Sequence, residues 1–215
     1  MATNLNGKRI LITAGPTWAP IDTVRVISNT ATGETGILLA KVLAKQGAKV
    51  TLILGPVGSC CVDKNIKVIG FKFFNELNSL LKKELKRKRY DAVIHSAAVS
   101  DYEPLSVAKK KLSSGVKILS LTFKPTPKII DCLRKYSPDS FLVGFKFEPD
   151  LTGNKLIKEA RSLIKRAHLD LAVANTAGKN GYRAWMVNVK TGLGPFSSKE
   201  ELVKNLSALI KNAGN

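Results

Sequence analysis

The chain has 215 residues and a formal net charge of +19, with 44% hydrophobic and 24% charged residues. This balance suits one folded domain with a sizeable core and argues against disorder, and no apolar run approaches the ~18 residues of a membrane-spanning helix. Cys60, Cys61 and Cys132 lack metal-ligand spacing and the first eight residues lack a signal-peptide layout, so a reducing cytoplasm is the expected compartment.

The apolar period switches repeatedly along the chain. Lys8–Thr13 is a predicted buried strand, followed by the turn Ala14-Gly15-Pro16-Thr17. A polar loop then delays the first helix, predicted over Thr35–Gln46 with Gly47 closing it. Strands are predicted at Lys49–Leu54 and Ile66–Ile69, and an amphipathic helix at Phe73–Lys88. A strand at Asp91–His95 runs into Ser96-Ala97-Ala98-Val99-Ser100-Asp101-Tyr102. The rhythm breaks over Glu103–Pro127, where only Lys117–Phe123 looks strand-like. It resumes with a helix at Lys128–Lys135, a strand at Phe141–Phe147, a helix at Asn154–Arg166 and a strand at Leu169–Ala174. Ala184–Val189 with a turn at Thr191-Gly192 suggests a hairpin, and Lys199–Lys211 a last helix. Alternating strands and helices predict a single α/β domain over residues 1–215: a Rossmann-like, mostly parallel sheet with helices on both faces.

The positive charge comes mostly from lysines scattered over helices, with one dense run from Lys82 to Arg89. The plain reading is a solvated surface whose cations also favour a helix C-terminus. Such a field would also attract nucleic acid or a small phosphorylated ligand.

Ligands of parallel α/β sheets sit at the carboxyl ends of the strands. Those ends carry Gly15, then Ala97, Ala98 and Asp101, then Gly144 and Phe145, then Asn175. Ala97 and Ala98 leave room for a ligand or for tight packing. Asn29, in the loop before the first helix, could hold a carboxylate or a developing oxyanion, or form an Asx-turn. Gly33 and Gly36 suit close approach of a phosphate to a helix start, or simply shape the turn. Lys109, Lys110 and Lys111 lie in the irregular segment, where a lysine could close over phosphates. Of the two histidines, His95 falls within a buried strand and reads as structural, and His168 has no partner at a recognisable spacing. Glycines, asparagines and lysines without a histidine base fit phosphoryl or nucleotidyl transfer, which depends on positioning and charge neutralisation.

In order and spacing these motifs resemble the phosphopantothenoylcysteine synthetase (phosphopantothenate–cysteine ligase) family of coenzyme A biosynthesis. In many bacteria this is the C-terminal half of a bifunctional protein with a flavin-dependent decarboxylase. The resemblance runs from about Lys8 to Leu209. It rests on Ile12-Thr13-Ala14-Gly15, Pro20-Ile21-Asp22 with Val24-Arg25, Ile27-Ser28-Asn29 with Gly33 and Gly36, His95 through Tyr102, Lys111-Leu112-Ser113-Ser114, Pro125-Thr126-Pro127, Val143-Gly144-Phe145, and Asp170 with Val173-Ala174-Asn175.

The resemblance implies that a nucleoside triphosphate, with Mg²⁺, activates the carboxylate of 4′-phosphopantothenate as an acyl-nucleotide, which L-cysteine then attacks through its amine. The order of motifs follows the bacterial, CTP-using pattern rather than the ATP-using one. The resemblance implies a homodimer whose strap, here about residues 103–125, reaches the neighbour's site. Asn29 matches the residue that holds the acyl intermediate, and Lys111 the strap lysine that contacts the triphosphate. Ala97, Ala98, Asp101 and Phe145 match nucleotide-site positions. Gly15 would serve the nucleotide, and Gly33, Gly36 and Asn175 the substrate. No resident metal site is expected.

The sequence also departs from the family. Pro16 stands where a second glycine is usual, removing one N–H donor. Glu34 stands where a lysine follows Gly33, and Ser113 and Ser114 replace later strap lysines. Leu163 and Ala167 occupy the places of two helix lysines, with Lys165 or Arg166 as possible substitutes.

Two other functions would make different demands on the sequence. An NAD(P)-dependent short-chain reductase would need a selector residue ending the second strand, which ends at Leu54-Gly55, and a Tyr-x-x-x-Lys pair, which none of Tyr90, Tyr102, Tyr136 and Tyr182 supplies. A basic nucleic-acid-binding module would need an aromatic stacking platform, and none is apparent.

Overall fold

The computed structural model describes residues 5–58, 62–115, 117–149, 151, 153–179 and 181–213. In chain order the elements are β1 (Arg9–Ala14), β2 (Trp18–Pro20), β3 (Val26–Ser28), α1 (Glu34–Lys45), β4 (Lys49–Leu54), β5 (Lys67–Gly70), α2 (Phe74–Arg87), β6 (Ala92–His95), β7 (Tyr102–Pro104) and β8 (Phe123–Pro125). A 3₁₀ turn (Ile129–Cys132) then leads into α3 (Leu133–Tyr136), followed by β9 (Phe141–Phe147), α4 (Gly153–Ala167), β10 (Leu171–Gly178), β11 (Gly181–Val187), β12 (Gly192–Phe196) and α5 (Lys199–Ala213).

The main sheet has eight strands in the order β12-β11-β10-β9-β6-β1-β4-β5. The run from β5 to β10 is parallel, whereas β11 pairs antiparallel with both β10 and β12. From β1 the chain moves outward to β4 and β5, then returns to β6 on the other side of β1. That reversal opens a crevice at the carboxyl ends of β1 and β6.

Alternate side chains of each strand feed two cores. Ile10, Ile12, Val143 and Val173 meet Leu39 and Leu43 of α1 and Leu202 and Leu206 of α5. Leu11, Ile53, Leu142 and Ala172 meet Leu77 and Leu81 of α2, Leu133 of α3, and Leu156 and Leu163 of α4. Burial on both faces is why β1 and β4 read as unbroken apolar runs. Each fully buried leucine, such as Leu39 or Leu77, contributes about 1.5–3 kcal/mol.

The Rossmann-like expectation holds, and several local expectations change. Val26–Ser28 folds back on Trp18–Pro20 as a hairpin inside the polar loop. Of the strand-like Lys117–Phe123, only Phe123 is paired, as the start of β8; the pairs are Tyr102 with Pro125, Glu103 with Lys124 and Pro104 with Phe123. Lys128–Lys135 is a 3₁₀ turn plus one α-helical turn rather than a continuous helix. The C-terminal hairpin is part of a three-strand meander, β10-β11-β12. Cys60 and Cys61 lie outside the described residues, and Cys132 is a half-buried free thiol.

One carboxylate ties the strap to the hairpin. The buried Asp22 accepts hydrogen bonds from the backbone N–H groups of Val24 (2.8 Å), Arg25 (2.7 Å) and Leu112 (3.0 Å), and from the Arg25 guanidinium (3.0 Å). The same guanidinium donates to the Leu112 carbonyl at 3.3 Å, and the Ala108 N–H to the Ile21 carbonyl at 3.0 Å. The donors, the Leu112 N–H foremost, hold the Asp22 carboxyl at about 2 against an ordinary 3.8. A depressed acid contributes stability above its unfolded value and loses it as the pH falls through its folded one. The clasp is therefore complete above pH 3.8 and opens as the pH falls through about 2.

Asp22→Asn removes the charge that gathers these donors. At neutral pH trypsin should cut the variant within Lys109–Lys117 several-fold faster than the wild type, with the unfolding midpoint of the sheet little changed. Equal cleavage of the two proteins would contradict this role for Asp22. In the wild type, the Leu112 amide should lose hydrogen-exchange protection only at pH values near 2.

Candidate active site

A cleft of about 750 Å³ lies over the carboxyl ends of β1, β6, β9 and β10. Gly15, Asn29, Gly33, Gly36, Ala97, Ala98, Asp101, Phe145 and Asn175 all line it, whereas Gly144 and the strap lysines Lys109, Lys110 and Lys111 do not. Lys111 is exposed on the strap, next to the Leu112 backbone that Asp22 holds.

Its floor is backbone. After β1, Gly15 turns at φ +80°, and a Cβ there would come within 3.1 Å of the Gly55 nitrogen. The chains leaving β1 and β6 stay paired: Ala98 N–H donates to the Gly15 carbonyl (2.9 Å) and Thr17 N–H to the Ala98 carbonyl (3.2 Å). Ser100 N–H donates to Thr17 Oγ1 at 2.8 Å. Asn29 Nδ2 also donates to the Ala98 carbonyl, at 3.0 Å, which fixes the amide's orientation at the rim of the cleft.

The two loop glycines have conformational and packing reasons. Gly33 caps α1 at φ +72° without a capping side chain of its own; Thr32 Oγ1 accepts the Glu34 N–H at 3.4 Å, and the other first-turn N–H groups of α1 lie at the cleft. A Cβ on Gly36 would lie 2.5 Å from Ala14 Cβ and 2.7 Å from Ser96 Oγ, so Gly36 lets α1 sit directly on the sheet. Gly144 does the same under Leu169 and Ile130.

His95 is buried and lies 2.8 Å, Nδ1 to Oγ1, from Thr13. The Thr13 hydroxyl also accepts the Ala97 N–H at 3.3 Å, so one threonine ties the imidazole to the Ala97 backbone. Burial pushes the His95 pKa down to about 4. At neutral pH His95 is an uncharged support for the Ala97 backbone.

Sequence reasoning missed most of the cleft's charge. Lys128, Lys146, Arg166 and Lys199 line it, and each meets a carboxylate: Lys128 with Asp101 at 2.5 Å, Lys146 with Glu148 at 2.5 Å, Arg166 with Asp131 at 3.0 Å, and Lys199 with Glu34. Every pair but Lys146–Glu148 joins residues far apart in sequence. Of the two candidate substitutes on α4, Arg166 reaches the cleft and Lys165 does not line it. Leu163 packs in the core yet borders the cleft, and Ala167 is fully buried, so neither place carries a cation here. Asp170 lies away from the cleft, accepting from the Arg134 guanidinium and the Leu142 N–H, both at 2.7 Å, and so has a structural reason to be there. Among the described residues no group of three His, Cys, Asp or Glu side chains could hold a metal, and no helix is long and apolar enough to cross a membrane.

The arrangement is a Rossmann-like domain with an anion-ready helix start and a cleft rich in exchangeable cations. The DNA/pantothenate metabolism flavoprotein C-terminal domain matches residues 5–211, and the chain belongs to that family. It is 42% identical over 174 residues to the coenzyme A biosynthesis bifunctional protein CoaBC of Thermococcus kodakarensis, covering 80% of this chain and 42% of that protein. The chain thus spans less than half the length of that relative. The crystal structure of the DNA/pantothenate metabolism flavoprotein from Streptococcus pneumoniae is 28% identical and superposes with a TM-score of 0.86, covering 96% of this chain and 99% of that one. A Cab2 variant in complex with phosphopantothenate-cysteine shares the fold at 18% identity, with a TM-score of 0.76 over 96% of this chain and 87% of that one.

Thr13→Val keeps the shape of the Thr13 side chain but leaves Ala97 N–H and His95 Nδ1 without their partner. It should cost about 1–3 kcal/mol of stability, measured by denaturant unfolding. An unchanged midpoint would contradict the support role of Thr13 and His95.

Proposed function

We propose that this domain joins 4′-phosphopantothenate to L-cysteine, using a nucleoside triphosphate to activate the carboxylate. The observation that carries the reading is the cleft itself. It combines the small residues Ala97 and Ala98, the start of α1, an oriented Asn29 and four lysine or arginine side chains, beside a buried His95 whose pKa is lowered to about 4. Such a site positions phosphates and neutralises charge, which is what nucleotidyl transfer requires. Family membership and the coenzyme A role of the CoaBC relative support the same substrates, as does the phosphopantothenate-cysteine held by Cab2 on the same fold.

In the proposed reaction the substrate carboxylate attacks the α-phosphorus and pyrophosphate leaves. The cysteine amine then attacks the acyl carbon and the nucleoside monophosphate leaves. Asn29, locked on the Ala98 carbonyl, orients the acyl group. Ala97, Ala98 and Phe145 receive the base, the two small side chains leaving room for a pyrimidine, so CTP is the proposed donor. Mg²⁺ would be held by the triphosphate together with the exposed carboxylate of Asp101, since one or two carboxylates plus substrate phosphates suffice for this ion. The cytoplasm is the proposed compartment.

Lys111 is proposed to act in the cleft of a second copy. The strap and its hairpin expose Val24, Leu105, Val107, Ile118, Leu119 and Phe123, with Ile118 84% exposed. Exposed apolar residues concentrated on this hairpin and strap suit a homodimer contact, and a strap clasped outside its own cleft can serve the neighbour's.

Pyrophosphate release with 4′-phosphopantothenate, cysteine and each triphosphate tests the reading; release independent of phosphopantothenate would overturn it. Lys111→Ala should lower turnover at least ~10²-fold, with far smaller losses for Lys109→Ala and Lys110→Ala; three equal effects would remove Lys111 from its role. kcat/KM under identical Mg²⁺ should favour CTP, and equal or higher values with ATP would refute the donor assignment alone.

A further inference from the structure

The C-terminal helix contributes to the cleft. Helices α1 and α5 run side by side in the same direction, joined at one end by Lys199 and Glu34 and at the other by Gln46 Nε2 donating to Ser207 Oγ at 3.3 Å. Both N-termini therefore lie at the ligand edge of the sheet. Lys199 is the first residue of α5, where the helix dipole disfavours a cation. Glu34 is the first residue of α1, where the dipole favours an anion. Both residues line the cleft.

The same cleft holds two buried polar atoms with no hydrogen-bond partner in the structure, Tyr182 Oη on β11 and Asn175 Oδ1 on β10. They lie on the sheet face that α1 and α5 cover, Asn175 two places before Ala177, which pairs with Tyr182. Orphaned polar atoms in a cleft are satisfied when a ligand arrives. The Tyr182 hydroxyl is able to donate to a phosphate, and Asn175 Oδ1 to accept from a ligand hydroxyl.

We propose that Lys199 is a phosphate-binding residue and that Glu34 is its stand-in anion, releasing Lys199 when a ligand phosphate reaches the start of α1. The proposal rests on the ligase reading for the identity of that ligand. The exchange is favourable because the pair is partly exposed, with side-chain exposures of 34% for Lys199 and 56% for Glu34, and exposed pairs hold weakly. A phosphate offers charge-assisted bonds to Lys199 and to the free N–H groups of α1 together.

Calorimetric titration of the wild type, Lys199→Met and Glu34→Gln tests this with 4′-phosphopantothenate, pantothenate, CTP and inorganic pyrophosphate. Lys199→Met should weaken a phosphate ligand by roughly ten- to a hundredfold. Glu34→Gln should tighten the same ligand by roughly two- to fivefold. A loss confined to 4′-phosphopantothenate, with pantothenate unaffected, assigns the monoester; a loss confined to CTP assigns the triphosphate. If the pair only fastens α5 to α1, both variants will shift affinity and thermal midpoint in the same direction, which overturns the proposal. Opposite shifts with pyrophosphate in a protein that ignores phosphopantothenate and CTP would uphold the role of Lys199 while removing the ligase reading. A wild type that binds no phosphate compound overturns both.

Discussion

A single buried carboxylate decides where the strap goes. Asp22 collects three backbone N–H groups and one guanidinium, and one of those N–H groups, that of Leu112, comes from about ninety residues along the chain. The Asp22 oxygens leave water only because four donors replace it. The strap is therefore pinned to the outside of the β2–β3 hairpin, with Lys111 away from the cleft of its own chain. In the proposed reading this separation is functional: the cleft supplies the floor, the helix start and Asn29, and a second copy supplies the lysine.

The cleft itself stores its charge as ion pairs. Lys128, Lys146, Arg166 and Lys199 each rest on a carboxylate, so the site avoids crowded like charges while keeping cations in reach. All four pairs are partly exposed, and such pairs contribute ~0–1 kcal/mol each. A triphosphate or phosphomonoester can take the cations at little expense. Rigidity comes instead from the backbone pairing of Gly15, Thr17 and Ala98 and from the neutral Thr13–His95 contact, which do not depend on ligand charge.

The parallel sheet was legible because strands buried on both faces write themselves as unbroken apolar runs, as in Ile10-Leu11-Ile12, and because amphipathic helices alternate with them. The three-residue strands β2, β3, β7 and β8 were not legible, since so short a run carries no period; Asp22 and Arg25 tie the β2–β3 turn to the strap, and the Glu103–Lys124 ion pair bridges β7 and β8. The floor residues Gly15, Ala97, Ala98 and Asn175 could be read from the rule that ligands sit at strand ends. Lys199 could not, because its place in the cleft comes from the packing of α5 against α1, and its partner Glu34 is distant in sequence. Glu34 looked like a lost positive charge; the structure puts Lys199 beside it.

In the proposed reading each working site is shared between two copies. Mixing Asn29→Ala and Lys111→Ala proteins under conditions that exchange subunits tests it directly. A mixed dimer would carry one site with both native residues, Asn29 from one copy and Lys111 from the other. The account predicts that two nearly inactive preparations regain ligase activity on mixing, approaching half the wild-type rate per mixed dimer. Activity that stays at the level of the separate variants would show that Asn29 and Lys111 act within one chain, and would contradict the account.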